Sequence, residues 1–136
     1  MTASPRVASL LHGPVTPLAE SDSIRAAAER LVAYRAAALP VADAAGGLVG
    51  VLSQKDCFGP ALTASYHQEW RGTVADHMAR EVITIDAETE IVAAARIFQS
   101  QPHRTLPVMR GDALVGMLRR SDVLRALLAM TSGRWQ

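Results

Sequence analysis

The sequence implies an α+β fold made of two β-α-β-β-α repeats, each a small mixed three-stranded sheet with helices. Three observations carry this. Residues 11–58 and 78–124 align on one register: Ile24, Ala27, Ala28 and Leu31 recur as Ile91, Ala94, Ala95 and Phe98, an offset of 67. Leu39-Pro40-Val41 recurs as Leu106-Pro107-Val108 at the same offset, and Leu48-Val49-Gly50-Val51-Leu52 as Leu114-Val115-Gly116-Met117-Leu118 at 66. Asp56 and Asp122 close the two copies. A repeat of this length is one supersecondary unit used twice. The missing residue falls in a turn, where a length change is cheap.

Residues 1–10 read as a loosely held lead-in, 11–72 as the first repeat with its linker, and 73–136 as the second with a C-terminal tail. Residues 15–18 read as a short strand and 82–85 as its twin. Ser21 or Asp22 can cap the next helix, as Thr89 or Glu88 can in the second copy. The helices, 23–35 and 90–101, both show an i, i+3, i+4, i+7 apolar stripe. Pro102 ends the second, since a residue before proline is pushed out of the helical region. Strands at 39–42 and 106–109 carry Pro40 and Pro107 near their starts, where a missing N–H is tolerated. Turns at 43–47 and 110–112 join them to hairpin partners at 48–52 and 114–118. A closing helix begins near Gln54 and is expected to break at Gly59-Pro60. After a polar stretch, 64–71, a short helical segment ends at Met78. The second copy closes with a helix over 121–130. A strand–helix–strand crossover makes its strands parallel, and the hairpin adds the third antiparallel.

Composition narrows the function. The chain has 136 residues, one domain's length. Either half alone would bury only ~60% of its unfolded surface, so a shared core is expected. Fourteen basic against 13 acidic residues give a net charge of +1, which implies no polyanion-binding surface or acidic tail. No apolar run approaches the ~18–20 residues of a membrane helix, and 7–11 is too short for a signal-peptide core. The single cysteine, Cys57, excludes an internal disulfide. A cytoplasmic protein is the expectation.

The tandem unit resembles a pair of CBS domains, the Bateman module. The likeness rests on the leucine-proline-valine strand starts, Gly50 and Gly116, and two segments: Gly50-Val51-Leu52-Ser53-Gln54-Lys55-Asp56 and Gly116-Met117-Leu118-Arg119-Arg120-Ser121-Asp122. It covers about Leu11 to Leu128. The resemblance implies an intramolecular CBS pair with two sites in the cleft between copies, where adenosine-containing ligands bind, and a regulatory, non-enzymatic role with no cofactor. It also implies a homodimer associating through its helices. Ala26-Ala27-Ala28 and Ala93-Ala94-Ala95 would allow close helix approach, or serve the internal core equally well.

Ser53 and Asp56, three apart at a helix start, share a face. A carboxylate there can accept both hydroxyls of a ribose, and a helix N-terminus favours phosphate. The same pair would serve equally as a plain N-cap. Carried over from the family, one site joins Ser53, Lys55 and Asp56 to Val82, Ile83 and Thr84 and to His103, Arg104, Thr105 and Leu106. Asp56 would hold ribose, Ile83 and Leu106 would sandwich a purine, and Arg104, with His103 and Lys55, would neutralise phosphates; arginine's planar fork suits them. A second, weaker site would join Arg119 and Asp122 to Val15, Thr16, Ala37, Ala38 and Leu39. There Arg119 replaces the serine, and either pairs with Asp122 and fills the pocket or supplies phosphate charge. Ala37 and Ala38 stand where the first site has Arg104 and Thr105. One competent site is the favoured reading. AMP, ADP, ATP, S-adenosylmethionine and dinucleotides all fit, and the effector protein is unknown. The alternative is a ligand-independent dimerisation or scaffold module for a separate partner.

Other signals are discounted. Gly46-Gly47-Leu48-Val49-Gly50 lacks the lysine and hydroxyl residue of a phosphate loop and reads as a hairpin turn. His12, His67, His77 and His103 are scattered without metal-ligand spacing. Cys57 reads as a small buried hydrophobe. Arg119-Arg120 is too short for a nucleic-acid surface. Trp70 and Trp135, outside the repeats, are expected to dock on the body or on a partner.

Overall fold

The computed structural model describes residues 5–132. They form two compact units: Val15–Val82, and the described parts of Met1–Pro14 with Ile83–Gln136. Trp135 lies outside the described residues.

In the Val15–Val82 unit, β1 (Leu18–Ala19) lies parallel to β2 (Ala38–Ala42), which pairs antiparallel with β3 (Leu48–Ser53). β1 is shorter than expected and begins at Leu18. Pro17 has no N–H to donate, and Arg30 binds the Thr16 and Pro17 carbonyls. α1 (Ile24–Ala33) is the crossover; it buries Ile24, Ala27 and Leu31, one stripe of the helix. Its cap is Ser23, one or two residues later than expected: Ser23 Oγ accepts the Ala26 N–H at 3.1 Å, whereas Asp22 turns back to the Ala19 N–H. The glycine-rich stretch is the β2–β3 hairpin turn, tied by Asp43 Oδ1 to the Ala45 and Gly47 N–H groups.

A 3₁₀ turn over Lys55–Cys57 leads into α2 (Phe58–His67), and the expected break at Gly59-Pro60 does not occur. Pro60 sits in the first turn, where its missing N–H has no intrahelical acceptor in any case. α3 (Val74–His77) opens on a capping box between Thr73 and Asp76. Leu18, Ile24, Leu31, Val41, Leu52, Val74 and Met78 form the core, with Trp70 packed against it. Ala79 exchanges two backbone hydrogen bonds with Val51 on β3.

In the other unit, β4 (Ile85–Asp86) lies parallel to β5 (Thr105–Arg110), which pairs antiparallel with β6 (Ala113–Arg119). α4 (Ile91–Ser100) and α5 (Arg120–Met130) complete the repeat. The side-chain cap expected from Thr89 or Glu88 is absent; instead the Pro5 carbonyl accepts the Ile91 N–H at 3.1 Å. Residues 5–10 of the lead-in are therefore held in place. Val7, in a 3₁₀ turn over Val7–Leu10, is fully buried among Ile85, Ile91, Leu106, Val108 and Leu118. The Val7 and Ala8 N–H groups donate to the Thr89 and Ala87 carbonyls. Leu11 packs over Gly116 on β6. Of the alanine stripes, Ala27 and Ala94 are core residues. No helix among the described residues is long and apolar enough to cross a membrane.

Candidate functional site

Ser53 ends β3 and Asp56 lies in the turn that follows. The Ser53 N–H donates to Asp56 Oδ2 at 2.9 Å, and the Asp56 N–H donates to Ser53 Oγ at 3.2 Å. This reciprocal cap fixes the carboxylate while leaving Oδ1 without a partner among the described residues and not fully buried. Gln54 anchors the turn: its N–H donates to the Ala37 carbonyl and its Nε2 to the Ala36 carbonyl, both at 2.9 Å. Lys55 is exposed beside it. Cys57 is buried; desolvation, then the Asp56 charge, pushes its thiol up, as suits a small hydrophobe. Val82 closes the unit, half-buried.

The other predicted residues of the first set belong to the second unit. Ile83 and Thr84 precede β4 and are exposed, as are His103 and Arg104 ahead of β5. The Arg104 carbonyl accepts the Arg120 N–H at 2.9 Å. Thr105 is buried and donates its hydroxyl to the Leu118 carbonyl at 3.0 Å. Leu106 is a core residue, which leaves Ile83 as the exposed apolar side chain of this group.

Of the second set, Val15 is half-buried and Thr16 exposed, its carbonyl taken by Arg30. Ala37 is half-buried; Ala38 and Leu39 are buried in β2. Arg119 and Asp122 meet. Asp122, 5% exposed, accepts Arg119 Nε on Oδ2 at 2.9 Å and Arg125 Nη1 on Oδ1. His12 Nε2 lies 2.8 Å from the same Oδ2 and 2.6 Å from Arg119 Nη2. One ring nitrogen cannot donate to a carboxylate and accept from a guanidinium at once, so the placement of hydrogen on Nε2 decides which contact is a hydrogen bond. Burial pushes the Asp122 carboxyl up, but bonds from Arg119, His12 and Arg125 outweigh it and hold the group below the usual carboxylate range.

Arg119 pairs with Asp122 across one turn, one of its two expected roles. Arg125 and His12 were not anticipated. Arg125 follows Asp122 by three on a helix, a spacing that does signal a pair. His12 is 110 residues away and carries no local signal.

A separate apolar hollow of about 190 Å³ lies in the first unit, walled by Leu31, Val32, Cys57, Phe58, Ala61 and Trp70. No group of three metal-ligating side chains occurs among the described residues.

The CBS domain family model matches residues 7–59 and 74–129. Among curated proteins, the chain is 31% identical over 124 residues to the A-adding tRNA nucleotidyltransferase of Geobacter sulfurreducens, covering 91% of this chain and 14% of that protein. It is 27% identical to the uncharacterized protein MJ1404 of Methanocaldococcus jannaschii, covering 94% of this chain and 33% of that one. The chain thus spans a third or less of those two relatives. It is 26% identical to hypoxic response protein 1 of Mycobacterium tuberculosis, over 87% of this chain and 82% of that one. Among solved structures, CBSX2 in complex with AMP superposes with a TM-score of 0.77 at 28% identity, covering 92% and 97% of the two chains. The CBS-pair protein CBSX2 from Arabidopsis thaliana gives 0.80 at 26%, covering 96% and 99%. With both repeats matched and CBS-pair structures as neighbours, the chain belongs to the CBS-domain family, as a tandem pair.

Proposed function

We propose that this chain is a regulatory module, without catalytic activity of its own, that senses an adenosine-containing nucleotide through the Asp56 carboxylate. The observation that carries this reading is the fixed but half-used carboxylate: one oxygen capped by the Ser53 N–H, the other without a partner among the described residues. A carboxylate so placed can accept ribose hydroxyls, and bonds to a charged acceptor contribute roughly 1.5–3 kcal/mol each. The AMP complex of CBSX2, at 28% identity, supports adenosine as the ligand class. Signalling follows by population shift: a ligand that binds one conformation better raises its share.

A thermal scan of the purified chain against AMP, ADP, ATP and S-adenosylmethionine tests this. At a ligand concentration of 100 Kd, a true ligand stabilises by about 2.7 kcal/mol. Absence of stabilisation by every compound contradicts the reading.

One observation favours a second reading, a scaffold that pairs with another copy of itself. Val32, Phe58, Leu62 and Tyr66 are 59–83% exposed on α1 and α2 of one unit. Sedimentation distinguishes the two: a tight dimer indifferent to all four compounds supports the scaffold.

A further inference from the structure

The two aspartates are equivalent by the repeat and unlike in their surroundings. With Asp56 and Asp122 aligned, Arg119 stands where the first copy has Ser53 and Arg125 where it has Gly59, while His12 aligns with Ala79 at the offset of 67 that holds over the start of the repeat. Met78 and Ala79 pack over Gly50 on β3, and Leu11 and Gly13, either side of His12, pack over Gly116 on β6. Asp122 thus has three nitrogen-bearing side chains at its two oxygens, whereas Asp56 accepts the Ser53 N–H on Oδ2 and has no partner on Oδ1 among the described residues.

We infer that His12, Arg119 and Arg125 act as a built-in plug that closes the Asp122 carboxylate to ligand hydroxyls, so that the duplicated fold offers one open carboxylate per chain. This rests on the nucleotide reading above for its ligand, but the plug itself is a property of the unliganded chain. A ribose approaching Asp122 would have to displace two guanidinium bonds and the imidazole, whereas at Asp56 it meets an unengaged oxygen. The charged groups facing His12 are Asp122 and Arg119 from the start of α5 and the end of β6, with Arg125 on the far oxygen of Asp122.

The test has two arms on the full chain. Calorimetric titration with AMP is expected to saturate at one per chain in the wild type and in Asp122→Asn. The combined variant His12→Ala, Arg119→Ser and Arg125→Ala, which keeps a good helix former in α5, is expected to gain a second, weaker event. Two events in the wild type, or one in the opened variant, overturn the plug. The second arm needs no ligand: the Asp122 carboxyl carbon is followed by NMR through an acid titration. Its midpoint is expected below the usual carboxylate range in the wild type and to move up in the opened variant. An Asp122 midpoint that does not move overturns the plug even if no AMP binds. A midpoint that moves in a chain that never binds AMP leaves the plug standing and removes the nucleotide reading alone.

Discussion

Gly50 and Gly116 are twins by sequence, yet adding one methyl to each has different consequences. A Cβ on Gly50 would lie 2.7 Å from the Ala79 carbonyl oxygen and 2.8 Å from Met78 Sδ. The first is backbone: that oxygen accepts the Val51 N–H at 3.0 Å and the Ala79 N–H donates to the Val51 carbonyl at 2.9 Å, so the residue cannot step aside without breaking these bonds. Overpacking of this kind costs about 1–3 kcal/mol, and each weakened hydrogen bond adds up to about 1 kcal/mol. Replacing glycine by alanine returns about 0.4–1 kcal/mol through the unfolded chain where the backbone tolerates it. Gly50→Ala is therefore expected to destabilise by about 2 kcal/mol. At Gly116 the nearest atoms are the Leu11 methyls, at 3.2 and 3.4 Å. They belong to a half-buried side chain that can rotate, so Gly116→Ala is expected within about 1 kcal/mol of the wild type. Urea unfolding of the two variants beside the wild type measures both. Equal losses, or a larger loss at Gly116, would refute the argument that residues 78–79 form a rigid lid on β3.

Other consequences follow from the packing and the charge cluster. Val7→Ala removes two methyl groups from a fully buried site and, at about 0.8 kcal/mol each plus a cavity contribution, is expected to cost about 2 kcal/mol in the same assay; a loss near zero would show that residues 5–10 are not part of the core. Because the Asp122 carboxyl is lowered in the folded state, its stabilisation is fully present above the ordinary carboxylate value of ~3.9 and is lost as pH falls through the folded value. Acid unfolding of Asp122→Asn should therefore depend less steeply on pH below about 4 than the wild type does. Identical profiles would contradict the ion cluster.

The fold was largely readable from residues alone because its signals are local. The paired apolar stripes gave both crossover helices within two residues at either end, and leucine-proline-valine with the matched glycines located β2, β3, β5 and β6. At two of the misses a contact distant in sequence decides the outcome. The cap on α4 is the Pro5 carbonyl, which no pattern near residue 90 reveals. Val7 is core because Ile85, Ile91 and Leu106 surround it, although the run around it looks like a free end. Pro60 is a local miss: it breaks a helix that starts at Gln54, but α2 starts at Phe58, and in the first turn proline is harmless. At the site, the Ser53–Asp56 pair and the intrusion of Arg119 were visible from spacing. The third arm of the cluster was not, since His12 reaches Asp122 through tertiary packing.

The most direct measurement is the thermal shift produced by saturating AMP in Asp56→Ala and Asp122→Ala, compared with the unaltered chain. The wild-type shift is expected to survive in Asp122→Ala and to vanish in Asp56→Ala. Equal loss in both variants, or a full shift retained by Asp56→Ala, would contradict the assignment of ligand binding to the first carboxylate.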